Sequence, residues 1–199
     1  WLRTLTYGLI GSGAAVLSAI LLLGWETLAA RFSRRPFTLD ERLLSQARIL
    51  WDYVAQVFHP QVARMGLYHD DFVVSRGLLE PVTTAYAVFG WLLLVLTCGL
   101  LLRSRGGRWI VFGVAWFVLG HSVESTVLPL EMYFEHRNYF PMIGLVLMLG
   151  ALFAIVVRRW PQPAAPLLVC FGLCAVLLSF MTSSQVQIWS NRTLLLLNH

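Results

Sequence analysis

Apolar residues in this chain form long, nearly unbroken runs, and one stretch between them alternates with a helical period instead. Five runs approach the ~20 residues that a helix needs to cross a bilayer core. They lie at 5–24, 82–102, 108–120, 140–157 and 164–182. The third reaches membrane length only if "HSVEST" carries its helix on to 127, with polar groups at the rim. The alternating stretch begins after "TLDE", which fits a capping box with Thr38 as N-cap and Glu41 returning to its amide. Leu43, Leu44, Ala47, Leu50, Trp51, Val54, Val57 and Phe58 then recur on one side. Arg42, Ser45, Arg48, Asp52 and Gln56 take the other, and Pro60 ends the run. The spacing predicts an amphipathic helix over 39–58, ~30 Å long. Its period alone favours an anchor lying in the membrane interface; the alternative is one wall of a lipid-substrate groove.

The pattern predicts an all-α fold, a polytopic membrane protein of about five transmembrane helices plus this interfacial helix. Composition points the same way: 58% of the 199 residues are hydrophobic and 13% charged, about half the charged share of a soluble domain. Every one of the 15 basic residues is Arg. They are scattered rather than gathered in a stripe, which argues against nucleic acid as a partner despite the net charge of +5. Cys98, Cys170 and Cys174 lie inside apolar runs without a CxxC pair and are given no role.

Orientation follows from the short loops, because short Arg-rich loops stay on the cytoplasmic side. "RSRGGR" at 103–108 and Arg158–Arg159 are separated by two spans and agree with each other and with Arg3. The outer face is then expected to hold 31–80, the 121–139 loop and the C-terminal stretch. The chain opens on "WLRTLTYG" without an initiator Met and closes on the helix-like "NRTLLLLNH". It is expected to be a piece of a longer protein, with residues 1–182 as the membrane domain and 183–199 as the outward start of a further region.

Three polar constellations stand out. In "HSVESTVLPLEMYFEHRNYFP", His121 and Glu124 share a helix face with Ser125, and Glu131 and Glu135 are four apart. His136, Arg137 and Tyr139 follow. Charges at a lipid rim are costly unless paired or placed in a watery cavity. Two readings stay open: an internal ion pair of Arg137 with Glu131 or Glu124, or an anion site in which the Arg137 fork and His136 meet a phosphate. In "LYHDDFVVSRGLLEP", His69, Asp70 and Asp71 suit a divalent cation or a general base, although an Asp-capped surface turn is the commoner meaning and the favoured one. No metal site is assigned. Asn191-Arg192-Thr193 matches a glycosylation sequon, a weak pattern.

"RPFTLDERLLSQARILWDYV", "GLYHDDFVVSRGLLEPVTT" and "ESTVLPLEMYFEHRNYFPMIGL", in that order, resemble bacterial membrane proteins that carry tetratricopeptide repeats after a multi-spanning domain. They are similar to the transmembrane and tetratricopeptide-repeat O-mannosyltransferases, and so to GT-C glycosyltransferases. The resemblance covers about 34–141, and "FEHRNYFP" is its sharpest element. It implies transfer of a sugar from a polyprenyl-phosphate donor to a protein or glycan acceptor, on the periplasmic face of a bacterial inner membrane. It implies Arg137 and His136 as donor-phosphate ligands and Glu135, Glu131 and Asp71 as candidate catalytic acids. Glu124, His121, Tyr139, His69 and Asp70 become supporting residues. GT-C enzymes place their principal acid in a first outer loop that has no counterpart here, so that acid is expected outside this chain. Two other functions remain: a transporter or flippase for a lipid-linked anion, and a non-catalytic anchor for a periplasmic repeat domain.

Overall fold

A computed structural model of the chain describes residues 1–22, 24–59, 72–122, 125–126, 128–133, 135–160 and 164–190. Every regular element among them is helical: α1 (Leu2–Leu22), α2 (Trp25–Ala30), α3 (Leu39–Phe58), α4 (Thr83–Leu101), α5 (Arg105–His121), α6 (Tyr139–Arg159) and α7 (Ala164–Ser190). A short 3-10 turn, Glu135–Asn138, leads into α6.

Two of the five expected spans, α4 and α6, are long and apolar enough to cross a membrane among the described residues. α1 has 21 residues and carries Thr4, Thr6, Ser12, Ser18 and three glycines among its apolar ones. α5 has 17 residues and stops at His121, so "HSVEST" does not extend the α-helix. At 1.5 Å per residue it falls short of a ~30 Å hydrocarbon core. α7 contains a shorter apolar stretch, Leu168–Ser184, within its longer helix.

α5 packs against α1, α4 and α6. Its fit to α6 depends on missing side chains: a Cβ on Gly113 would strike the Gly144 carbonyl, and one on Gly144 the Gly113 carbonyl. Gly106 faces Ile155 and Gly120 faces Pro141, so the two helices run antiparallel. α1 runs parallel to α5, with Trp1 edge-on to Trp109 at 5.5 Å and Gly13 against Leu119. These contacts gather the starts of α1 and α5 and the end of α6 at one end of the bundle. The Arg-rich stretches near 3, 103–108 and 158–159 therefore share that end. His121, Glu131 and Arg137 lie at the other end.

α3 begins and ends where the pattern predicts, and its capping box forms: Glu41 N–H donates to Thr38 Oγ1 at 3.2 Å, and Thr38 N–H to Glu41 Oε2 at 2.8 Å. Its orientation corrects the expectation of an apolar face buried and a polar face in water. The buried residues of α3 are Leu39, Arg42, Ser45, Gln46, Ile49 and Tyr53, while Leu43, Leu50, Trp51 and Val54 are half-buried. The reason lies in what α3 packs against. Residues 72–76 and 128–133 carry no regular backbone pairing, and their carbonyls need donors that a polar helix face can supply. Ile49 and Tyr53 join Phe117, Tyr133 and Leu145 in the main core, and Leu28, Phe32, Phe37 and Leu39 form a second.

Candidate functional site

The site is built where α3 meets residues 129–132. Arg42 Nη1 donates to the Leu130 carbonyl at 2.6 Å, and Gln46 Nε2 to the Met132 carbonyl at 2.6 Å. Four residues of helix rise ~6 Å, close to the ~6.6 Å that two residues of extended chain span. Positions 42 and 46 therefore stay in register with 130 and 132. The preceding and intervening carbonyls are taken by arginines from elsewhere: Arg35 Nε reaches Pro129 O at 2.7 Å, and Arg137 Nη1 reaches Glu131 O at 2.8 Å. Four consecutive carbonyls thus each accept from a side chain, three of them from guanidinium groups.

The electrostatics follow from this crowding. Arg42 is fully buried, and burial pushes its pKa down to about 10, with the nearby positive charges of Arg137 and then Arg35 adding to the effect. It stays charged at neutral pH. The Glu131 carboxylate faces Arg35 Nη1 at 3.7 Å. The ion pair expected between Arg137 and Glu131 is thus divided: Arg137 holds the main-chain oxygen of residue 131, and Arg35 faces its side chain.

Two further networks fix the neighbourhood. Tyr133 Oη donates to Asp52 Oδ2 at 2.6 Å and accepts from Gln56 Nε2 at 3.0 Å, which ties α3 to the residues just before the EHRN turn. Arg48 Nη1 donates to Val73 O at 2.8 Å and lies over the Phe72 ring at 4.8 Å, while Ser45 Oγ accepts from Ser75 N–H at 2.8 Å.

His121 closes the other side. Its Nε2 is 3.2 Å from Asn138 Oδ1 and its Nδ1 is 3.3 Å from Ser125 Oγ. With a hydroxyl as donor on one side and an amide oxygen as acceptor on the other, this pattern fits the neutral Nε2–H tautomer. Tyr53 stacks on the ring at 5.4 Å and Phe117 meets it edge-on at 4.9 Å. The same His121, with Gln46, Ser122, Ser125 and Thr126, lines a cavity of about 410 Å³ whose remaining walls are mostly apolar, among them Ile20, Leu43, Leu50 and Val118. The volume lies in the range of small-molecule sites. From the apolar side of α3, Leu43, Ala47 and Leu50 line this cavity.

The structure brings Arg137, Glu131 and His121 to this end of the bundle. Tyr139 opens α6 with its side chain 69% exposed. Glu135 and His136 belong to the 3-10 turn, but their side chains lie outside the described residues, as do Glu124, His69, Asp70 and Asp71. No three His, Cys, Asp or Glu side chains among the described residues gather as a metal site. Sequence reasoning missed Arg35, Gln46 and Tyr133, and placed Arg42 and Asp52 on the polar side of α3 without giving them partners. A signal was present: in so apolar a chain, a polar helix face is better placed inward than toward lipid. No family model, curated protein or solved structure matches this chain.

Proposed function

We propose that this chain forms part or all of a membrane glycosyltransferase that transfers a sugar from a polyprenyl-phosphate donor to an acceptor on the outer face of a bacterial inner membrane. In this reading α1, α5 and α7 lie in the bilayer beside α4 and α6, and the Arg-rich end of the bundle is cytoplasmic. One observation carries the reading. His121 lines a largely apolar cavity and is hydrogen-bonded to Asn138, the residue after Arg137. An amphiphilic phosphate needs that adjacency, with hydrocarbon walls for the chain and a planar donor fork for the headgroup. Arg137 and His136 would hold the phosphate. Glu135 and Asp71 are candidate acids. The test is sugar transfer from a polyprenyl-phosphate sugar by the full-length protein in proteoliposomes, with Arg137→Ala abolishing transfer. A wild-type protein that binds no polyprenyl phosphate ends the proposal.

A second reading, a non-catalytic anchor, is favoured by a different fact: Arg35, Arg42 and Arg137 each already hold a main-chain carbonyl. Losing such a tie leaves a carbonyl short of a donor and lowers stability. If Arg137→Ala lowers stability severely while the folded fraction binds lipid phosphate as wild type does, the cluster is scaffolding.

A further inference from the structure

Arg35 lies outside the "EHRNYFP" motif and was given no role in the sequence, yet it meets Arg137 at one residue. Arg35 Nη1 faces the Glu131 carboxylate at 3.7 Å, while Arg137 Nη1 donates to the Glu131 carbonyl at 2.8 Å. The Arg35 side chain is 34% exposed and that of Glu131 51% exposed, and Arg137 is half-buried. Two guanidinium groups therefore meet at one partly open residue, Arg35 at its carboxylate and Arg137 at its carbonyl, and both lie near enough to the buried Arg42 for their charges to be felt there.

We propose that Arg35 and Arg137 are the two arms of a clamp for a phosphate group, and that the Glu131 carboxylate occupies the clamp until a phosphate displaces it. The inference rests on the reading that an anionic headgroup binds at Arg137, and deepens it by adding the second arm and the internal competitor.

The geometry supports each part. A charge-assisted N–H···O contact normally closes to ~2.7–2.9 Å. At 3.7 Å and half exposed, the Glu131 carboxylate is held loosely, and exposed pairs of this kind contribute little. Its departure needs only side-chain rotation, because the backbone is pinned independently by Arg35 at 129 and by Arg137 at 131. The Arg35 Nε bond to Pro129 O orients the guanidinium so that its Nη edge faces residue 131. A phosphate monoester, such as a polyprenyl phosphate freed of its sugar, carries ~1.5–2 negative charges and three acceptor oxygens against the single charge of a carboxylate, so it competes well for two forks, while the phosphodiester of a sugar-bearing donor matches the carboxylate in charge and relies on the better fit of its oxygens. The catalytic role expected of Glu131 is thereby replaced by a gating one.

The test uses the full-length protein in detergent micelles and titrates farnesyl phosphate, farnesol and inorganic phosphate by calorimetry. Arg35→Gln removes the charge yet keeps an amide able to donate to Pro129 O. It is expected to weaken farnesyl phosphate about tenfold or more, as Arg137→Gln does, and to leave farnesol unchanged. Glu131→Gln is expected to tighten farnesyl phosphate several-fold. Inorganic phosphate that competes as well as the lipid would assign the clamp to free phosphate; phosphate that fails to compete assigns it to a lipid headgroup, and either result supports the clamp. Unchanged affinity in folded Arg35→Gln, or unchanged or weaker affinity in Glu131→Gln, overturns the proposal, as does a wild type that binds neither phosphate. If Arg35→Gln does not fold, Glu131→Gln decides alone. Binding with these variant effects but no sugar transfer would leave the clamp standing and remove the transferase.

Discussion

Trp51 and Trp91 clasp α3 and α4 reciprocally. The Trp51 indole N–H donates across the interface to Ala87 O at 3.0 Å, and the Trp91 indole N–H donates back to Ala47 O at 2.9 Å. The two rings meet at 4.9 Å, and the Trp51 ring lies against Gly90, where a Cβ would stand only 3.1 Å from it. The pair sets the antiparallel alignment that turns the polar face of α3 toward residues 72–76 and 128–133. It also makes Trp91 part of the cavity wall.

Removing either indole N–H should therefore act on the whole α3 register. Trp51→Phe and Trp91→Phe should each cost ~0.5–1.5 kcal/mol. Because the two rings touch, the double variant should cost less than the sum. Thermal unfolding of the singles and the double in detergent measures this, and strict additivity would show that the two bonds act separately.

The α5–α6 contact makes a second prediction. Gly113→Leu places a side chain where the Gly144 carbonyl and the Met148 backbone lie, so overpacking should cost at least ~1–3 kcal/mol and lower the yield of monodisperse protein. Gly11→Ala meets nothing within 4 Å and should be neutral or stabilising by up to ~1 kcal/mol. Equal behaviour of the two variants in size-exclusion chromatography would contradict this close approach.

Arg42 tests the inward polar face. Arg42→Met preserves much of the volume but leaves the Leu130 carbonyl without this donor, so it should destabilise by ~1–3 kcal/mol. Gln56→Glu, on a half-buried side chain that donates to Tyr133, should add a carboxylate near Asp52 and also destabilise. Arg34→Gln, on an exposed side chain, should change little. Unfolding midpoints rank the three, and an Arg42 variant as stable as Arg34→Gln would mean that α3 is turned the other way.

Sidedness is tested by single cysteines in a background without Cys98, Cys170 and Cys174. Ser75 is fully buried, so Ser33, which is exposed, reports on the α3 end of the bundle, and exposed Ser104 on the Arg-rich end. Ser33→Cys should react with an impermeant maleimide in intact cells, and Ser104→Cys only after permeabilisation. The reverse pattern would move the arginine cluster to the cytoplasmic side.

Helix placement was legible in the sequence because it depends on local pattern. Long apolar runs, a Thr-x-x-Glu capping box and a change of period located α3 to its ends and the apolar helices to within a few residues, except that α7 continues eight residues past its expected end at 182. Arg137 and Glu131 were legible as chemistry because charged residues are conspicuous against so much Leu, Val and Phe. Period alone, however, says only that α3 has two faces. Which face turns inward depended on a distant requirement, the unpaired carbonyls of 129–132, and that requirement exists only once the chain has folded back on itself. Arg35 shows the limit best. It lies 94 residues from Pro129 along the chain, and no local signal links the two. Only the packing of α3 against that segment brings its guanidinium to Glu131, beside the arginine that the motif had already marked.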